Sequence, residues 1–300
     1  MPDTTYSTPG RPRIAVAGAT GRVGSILTSL LASDPVDVIA LTREPEQAKA
    51  PEGVAVAGID FEKANTLDDA LRGVDSLFVA HGTSPGQVAN EIALIDRAVA
   101  AGVRHIVKLS AMGPATRLIP CAWHMEIEAH LARQPVASTV LRPSTFAQLL
   151  ALYAGAITAG FWTGAAGHGR VNFIDTSDVA KVARIALLDV VAPESQRAYH
   201  LTGPRAWTMP QVAEELSRLT AQAVVYKHCS PEEQRATLLS FGVSPFVADL
   251  GVGLDQMFRD SVLGETTLTV EELTGEAPRD LSDWIAENVE LFRQSEAASA

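Results

Sequence analysis

The sequence predicts an α/β fold with a doubly wound parallel sheet, on three observations. Apolar, β-branched runs alternate with amphipathic helical patterns through the first two thirds of the chain. The first of these runs, Ile14-Ala15-Val16-Ala17, leads directly into a glycine loop, GATGRVG at residues 18–24, and then into a helical pattern. Helical stretches of this length between strands provide the crossovers that parallel pairing requires.

In order, RIAVAGA reads as a strand and SILTSLLAS as the apolar-faced helix after the glycine loop. VDVIALTR and VAVAGID are the second and third strands, and LDDALRG is a helix with Gly73 near its end. VDSLFVAH is the fourth strand, followed by a long helix, QVANEIALIDRAVAAG, closed by Gly102. HIVKLSA is the fifth strand, HMEIEAHLAR a helix and STVLRPS the sixth strand. After about residue 150 the periodicity weakens, although AYHLTGP reads as a strand returning to the sheet. Three capping signals follow. Thr208 with Gln211, and Ser230 with Glu233 behind Pro231, have the spacing of capping boxes, and Asp280 can cap LSDWIAENVELF. The last third is therefore expected to be mostly helical. The expected organisation is a disordered lead-in over 1–12 and a Rossmann-type dinucleotide-binding domain over 13–150, with returning segments near 170–190 and 197–204. A smaller, mostly helical substrate lobe takes 151–169 and 205–295.

With 47% hydrophobic residues, 300 residues can bury a sizeable core. No apolar run approaches 18 residues, so no membrane span is expected. The polar start, MPDTTYSTPGRPR, lacks the apolar core of a signal peptide. Cys121 and Cys229 form no CxxC, and a reduced, cytoplasmic protein is expected. A net charge of −11, with no local cluster of Lys and Arg, argues against duplex nucleic acid as a partner. No metal site is expected. The seven histidines show no HExxH or Cys/His cluster, and His124 and His130, six apart on one helix, do not share a face.

A strand, a glycine loop and a helix start together make an anion site, because the first helical amides point outward and the helix dipole favours negative charge. Gly18 permits the tight turn, Gly21 lets a pyrophosphate approach the backbone, and Gly24 allows helix and strand to pack closely. Thr20, Arg22 and Val23 complete the candidate contacts of the loop. Sites that prefer NAD carry Asp or Glu after the second strand, where this chain has Arg43. Arg43 can pair with a 2′-phosphate, which favours NADPH over NADH, with Glu44 and Glu46 nearby to blunt the preference or turn outward. Asp60 and Phe61, after the third strand, are candidates to flank the adenine. Ala80, His81 and Gly82, after the fourth, lie at the sheet edge where such a cofactor runs.

The Tyr-x-x-x-Lys pair of many short-chain reductases is absent: none of the tyrosines at 6, 153, 199 and 226 has Lys four residues later. GATGRVG, LTREPEQA, GVRHIVKLSAMG, HMEIE at 124–128 and STVLRPSTFAQ occur in order at familiar spacing. With FIDTSDVAKVA, YHLTGP and LTGEAPRDLSDWI, they resemble the NmrA-like, atypical short-chain dehydrogenase/reductase family from about residue 13 to 292. The similar branch includes type 2 NAD(P)H:quinone reductases and triphenylmethane reductase. The wider family includes benzylic ether reductases and a cofactor-sensing regulator without catalysis. The resemblance implies NADP(H) and a loop, Arg142-Pro143-Ser144-Thr145-Phe146, that borders the nicotinamide, with Pro143 on the cofactor. It puts His124 where the ether reductases carry a catalytic lysine, four residues before Glu128. His124 can donate a proton to an oxygen that gains charge during hydride transfer. Ser110 matches the short-chain reductase serine by position, to polarise a carbonyl or bond the backbone. Met112, Phe146, Phe161 and Trp162 are candidates for an aromatic substrate wall, or for ordinary packing.

One rival signal is Gly82-Thr83-Ser84-Pro85-Gly86, a Gly-x-Ser-x-Gly between strand and helix. Pro85 removes the amide that an oxyanion hole takes from the residue after the nucleophile. The expected function is NADPH-dependent reduction of a quinone or related conjugated aromatic carbonyl, by a monomer or homodimer. The alternatives are a non-catalytic NADP-sensing regulator and a tailoring enzyme of aromatic natural products. The run from Ser230 to about Gly264, which Gly242, Pro245, Gly251 and Gly253 are expected to interrupt, reads as a mobile cover over a substrate, its apolar side chains partnered by the substrate pocket or by a second subunit.

Overall fold

The computed structural model describes residues 10–115 and 118–293. Most of the lead-in therefore lies outside the described residues. The strands are β1 (Arg13–Ala17), β2 (Asp37–Thr42), β3 (Ala55–Gly58), β4 (Ser76–Val79), β5 (His105–Leu109), β6 (Ala137–Pro143), β7 (Thr145–Phe146), β8 (Phe161–Gly164), β9 (Arg170–Ile174), β10 (Gln196–Leu201), β11 (Ala206–Thr208) and β12 (Val225–His228). The helices are α1 (Arg22–Leu31), α2 (Ala64–Leu71), α3 (Gln87–Ala100), α4 (Ile119–Leu131), α5 (Ala154–Thr158), α6 (Thr176–Leu188), α7 (Met209–Thr220), α8 (Pro231–Ser240), α9 (Pro245–Arg259), α10 (Thr269–Thr274) and α11 (Leu281–Glu287).

The main sheet has seven strands in the order β10-β6-β5-β4-β1-β2-β3. β1 runs parallel to both β2 and β4, β2 to β3, and β4 to β5. Strand order reverses between β1 and β4, which makes the crevice beyond their C-terminal ends the expected binding position in such sheets. This is the Rossmann-like α/β fold. Among the described residues, no helix is long and apolar enough to cross a membrane.

By internal contacts the chain divides into two units. The first holds the residues up to Lys108, His130–Thr139 and Ala183–Arg197; the second holds Leu109–Ala129, Val140–Val182 and the chain from Ala198. In the first unit, β1 is buried from Ile14 to Ala17 with Arg13 exposed at its start, and α1 turns Val23, Leu27 and Leu31 inward. Leu41, Phe78 and Ile95 of the same unit are also buried. A buried ion pair, Lys108 with Glu91, ties β5 to α3.

In the second unit, two small sheets, β11-β9-β7 and β12-β8, accompany the expected helices. Both expected capping boxes are present, Thr208 with Gln211 on α7 and Ser230 with Glu233 on α8, and Asp280 accepts the Ser282 amide on α11. One expectation needs correction. Gly251 and Gly253 do not break the segment, because α9 runs through both from Pro245 to Arg259. The reason is close approach. A Cβ at Gly253 would lie 2.5 Å from the Leu118 side chain, and one at Gly251 3.3 Å from Leu238. Only Gly242, at φ +78°, and Pro245 separate α8 from α9. Phe246 of α9 also stacks on Trp123 of α4, with centroids 6.0 Å apart.

Asp255 of α9 is buried, and its Oδ2 accepts the Ala165 amide at 2.7 Å and Gln234 Nε2 at 2.8 Å. Burial outweighs these bonds and raises its pKa to about 6. Between the ordinary 3.8 and about 6 the folded chain thus holds a proton that the unfolded chain has lost. The contribution of Asp255 to stability therefore falls as pH rises through that window and is constant above it. Asp255→Asn has no such titration. Relative to the parent, its unfolding free energy is expected to gain up to about 3 kcal/mol between pH 4 and pH 7. Urea titrations at the two pH values check this, and a constant difference contradicts it.

Candidate active site

The glycine loop lies within the first unit, and each glycine has a separate steric reason. Gly18 has φ +75°, and a Cβ there would lie 2.8 Å from the Ala80 carbonyl oxygen, so the ends of β1 and β4 are in contact. A Cβ at Gly24 would lie 2.1 Å from the Gly18 oxygen. Gly21 closes the turn by donating its amide to Gly18 O at 2.9 Å. Gly21 is also the N-cap of α1, with no side-chain cap and no acidic residue in the first turn. The N-terminal amides are thereby left to an anion, in a cradle too tight for side chains. Thr20 and Arg22 flank the loop exposed, whereas Val23 is buried and has only its amide to offer.

A cleft of about 230 Å³ adjoins the loop, lined by Thr20, Ser25, Ser29, Thr42 and Lys49 among others. Thr42 Oγ1 accepts the Glu44 amide and holds the chain as it leaves β2. Arg43 is exposed, as are Glu44 and Glu46, and among the described residues its guanidinium has no ion-pair partner. Asp60 is engaged by Lys63 at 2.9 Å and by the Glu62 amide; the Lys63 hydrogen bond is the main cause of its lowered pKa. The Phe61 and His81 rings lie 5.8 Å apart. His81 Nδ1 bonds the Gly82 carbonyl at 2.6 Å, and Nε2 bonds Asn90 Nδ2 at 3.0 Å. A carbonyl only accepts and an amide nitrogen only donates, so the tautomer with the proton on Nδ1 is fixed. Asn90 was not singled out in the sequence; its place on the first turn of α3, facing back to His81, follows only from the fold.

A second group lies within the second unit. Ser110, at the end of β5, is buried, and its amide donates to Leu141 O of β6 at 2.7 Å. Its hydroxyl donates to Glu128 Oε1. Arg142 holds the same carboxylate through Nε, 3.2 Å from both oxygens, and through Nη2. That bond raises the Arg142 pKa. His124 is half-buried on α4, four residues before Glu128 and so on the same helix face. Met112 donates its amide to Pro143 O at 2.9 Å, which brings these two candidates together.

Phe146 is half-buried in β7. Phe161 is 46% exposed, with the Lys227 ammonium 4.7 Å above its ring. Trp162, only 4% exposed, is core: Tyr153 and Tyr226 each lie 5.2 Å from its ring. Trp162 is thus taken up by packing, and so is Met112, which is 7% exposed and belongs to the same hydrophobic core. Ser84 lies in the turn into α3, where its carbonyl accepts the Gln87 amide. No group of three or more possible metal ligands occurs among the described residues.

Residues 11–268 match the model of the NmrA-like family. The chain belongs to this family. It is 31% identical to the NAD(P)H azoreductase of Xenophilus azovorans, over 93% of this chain and 99% of the relative. It is 33% identical to the (4-alkanoyl-5-oxo-2,5-dihydrofuran-3-yl)methyl phosphate reductase of Streptomyces griseus subsp. griseus, over 93% and 99%. The solved structure of the Escherichia coli NADPH-dependent quinone oxidoreductase, complexed with NADPH, matches with a TM-score of 0.83 at 28% identity, covering 92% of this chain and 98% of that one. The NmrA-like chain thus shares full-length similarity with several named reductases.

Proposed function

We propose that this NmrA-like protein is an NADPH-dependent reductase of a quinone or a related conjugated aromatic carbonyl. It is a nicotinamide-dependent oxidoreductase by family, and the finer reading rests on its own residues. The observation that carries it is the glycine cradle followed by an exposed, unpaired Arg43 where a ribose-binding acid would stand. Gly18, Gly21 and Gly24, with the amides of Arg22 and Val23, hold the pyrophosphate, with Thr20 at its side. Arg43 meets the 2′-phosphate, and Phe61 and His81 flank the adenine. Asp60, committed to Lys63, shapes that loop, while Ala80 and Gly82 line the edge and Pro143 borders the nicotinamide.

When bound, the reduced nicotinamide supplies a hydride. The chain must then orient the acceptor and deliver one proton. His124 holds that proton near the substrate oxygen, Ser110 fixes a polar group of the ligand, and Phe146 supplies apolar wall, backed by Met112 from the core and with Phe161 at its exposed margin. A quinone makes small demands on the acid, because its reduced form is a stable phenolate. Orientation accounts for much of the rate. Both cysteines are free thiols, in keeping with a reducing compartment such as the cytoplasm.

The dihydrofuranyl phosphate reductase gives specific support to a second reading, reduction of a conjugated carbonyl in natural-product synthesis. Oxidation of NADPH across a panel of quinones, azo compounds and butenolides separates the two and distinguishes both from a non-catalytic sensor. Cofactor choice is tested by Arg43→Ala. A charge-assisted pair contributes about 1.5–3 kcal/mol when sheltered, and Arg43 is exposed, so roughly tenfold weaker NADPH binding is expected with NADH unchanged. Equal loss for both cofactors in calorimetry contradicts the assignment.

A further inference from the structure

We propose that Glu128 is a positioning residue that sets Ser110 to accept, and not to donate, a hydrogen bond from the bound ligand. This rests on the reductase reading above but concerns a different question: which redox form of the ring the site favours.

A serine hydroxyl has one proton and two acceptor lone pairs. In this structure the proton of Ser110 is directed at Glu128 Oε1. Glu128 is in turn fixed as an acceptor by Arg142, whose Nε reaches both carboxylate oxygens and whose Nη2 reaches Oε2. The Glu128 side chain is 13% exposed and that of Arg142 34% exposed, so water competes little for the carboxylate. Ser110 itself cannot swing away with its backbone, because its amide is held by Leu141 O. Hydrogen bonds to a carboxylate are stronger than those to a neutral carbonyl. A quinone oxygen therefore does not win the Ser110 proton from Glu128. A hydroxyl or amide of a ligand that reaches Ser110, itself only 4% exposed, by contrast meets an acceptor at Oγ, whose proton is already committed. The arrangement binds a reduced ring, with its new O–H, better than the oxidised ring at this point. It stabilises the product side of proton delivery, while the donor of that proton comes from elsewhere, with His124 on the same helix face.

The test uses Glu128→Gln, which keeps size and shape. The N–H groups of Arg142 require the amide oxygen, so the amide nitrogen is turned to Ser110. Ser110 must then accept from it and is free to donate to the ligand. With NADP+ bound, the dissociation constants of a quinone and its hydroquinone are measured by calorimetry. The ratio is expected to shift about tenfold towards the quinone in Glu128→Gln. The shift should vanish when Ser110→Ala is the background, which a general loosening of α4 would not produce. A uniform weakening of both ligands, or a shift that survives Ser110→Ala, overturns the proposal.

A second readout needs no ligand. A slowly exchanging, deshielded serine hydroxyl proton should be seen by NMR in the parent and be lost in both Ser110→Ala and Glu128→Gln. Its absence from the parent overturns the proposal whatever binds. Its presence without binding of either ring supports the positioning role and overturns the quinone reading alone.

Discussion

Gly24→Ala is expected to abolish dinucleotide binding and to cost about 3 kcal/mol or more of stability. The added Cβ would lie 2.1 Å from the Gly18 oxygen and 2.7 Å from its carbonyl carbon. Both are backbone atoms of the turn that ends β1, so no side chain can rotate out of the way. Either α1 separates from the sheet or the turn opens, and overpacking of a tight junction has costs of this order. The same displacement moves the helix amides off the pyrophosphate, so affinity should fall by about a hundredfold or more. Gly21→Ala provides the contrast. Its Cβ would lie 3.2 Å from the Gly18 oxygen, a contact that small shifts relieve. That variant should melt close to the parent yet bind the dinucleotide weakly, because its methyl group occupies the space of the phosphate. Equal melting of all three proteins contradicts the packing account of Gly24; unchanged affinity of Gly21→Ala contradicts the pyrophosphate account of the loop.

Lys108→Met is expected to cost about 3–5 kcal/mol, the usual result of leaving one buried charge without its partner. Lys108 is 0% exposed and Glu91 1%, with 2.8 Å between Nζ and Oε2. Gln87 Nε2 donates to the other carboxylate oxygen at 3.0 Å. After the substitution Glu91 keeps one neutral donor and loses its cation. The pair Lys108→Met with Glu91→Leu should recover part of the loss, since an apolar pair of similar volume requires no desolvation of charge, while the buried Gln87 Nε2 loses its acceptor. Urea unfolding of the three variants checks this. A single-variant cost below about 1 kcal/mol, or a double variant no better than the single, contradicts it.

What was legible in the sequence was local. β1, the glycine loop and α1 occupy one continuous stretch, and each carries its own signal: a continuous apolar run, three glycines, then an apolar helix face. The capping boxes at Thr208 and Ser230 span four residues and were readable for the same reason. Pairings between distant segments were not. Phe161–Gly164 reads as an apolar fragment until β12, Val225–His228, pairs with it and encloses Trp162. Gly251 and Gly253 read as helix breakers because propensity is local. Close contact with Leu238 and Leu118 is what they serve. The candidate site divides likewise. The cofactor loop is one motif, whereas Ser110, Glu128 and Arg142 lie just past β5, on α4 and on β6; the sequence marks the place of each, but the hydrogen bonds that join them follow only from the fold.

The central claim, that the chain transfers hydride from NADPH to a conjugated carbonyl, is tested most directly by a stoichiometric turnover in the absence of oxygen. Protein, NADPH and a benzoquinone or naphthoquinone are mixed, and loss of reduced nicotinamide is followed together with the hydroquinone formed. The expected result is one hydroquinone per NADPH oxidised, at a rate proportional to protein, with NADH slower at equal concentration and Gly21→Ala nearly inactive. Tight NADPH binding with no oxidation above the protein-free rate, for quinones and for the azo and butenolide acceptors alike, would contradict the claim and leave a cofactor sensor.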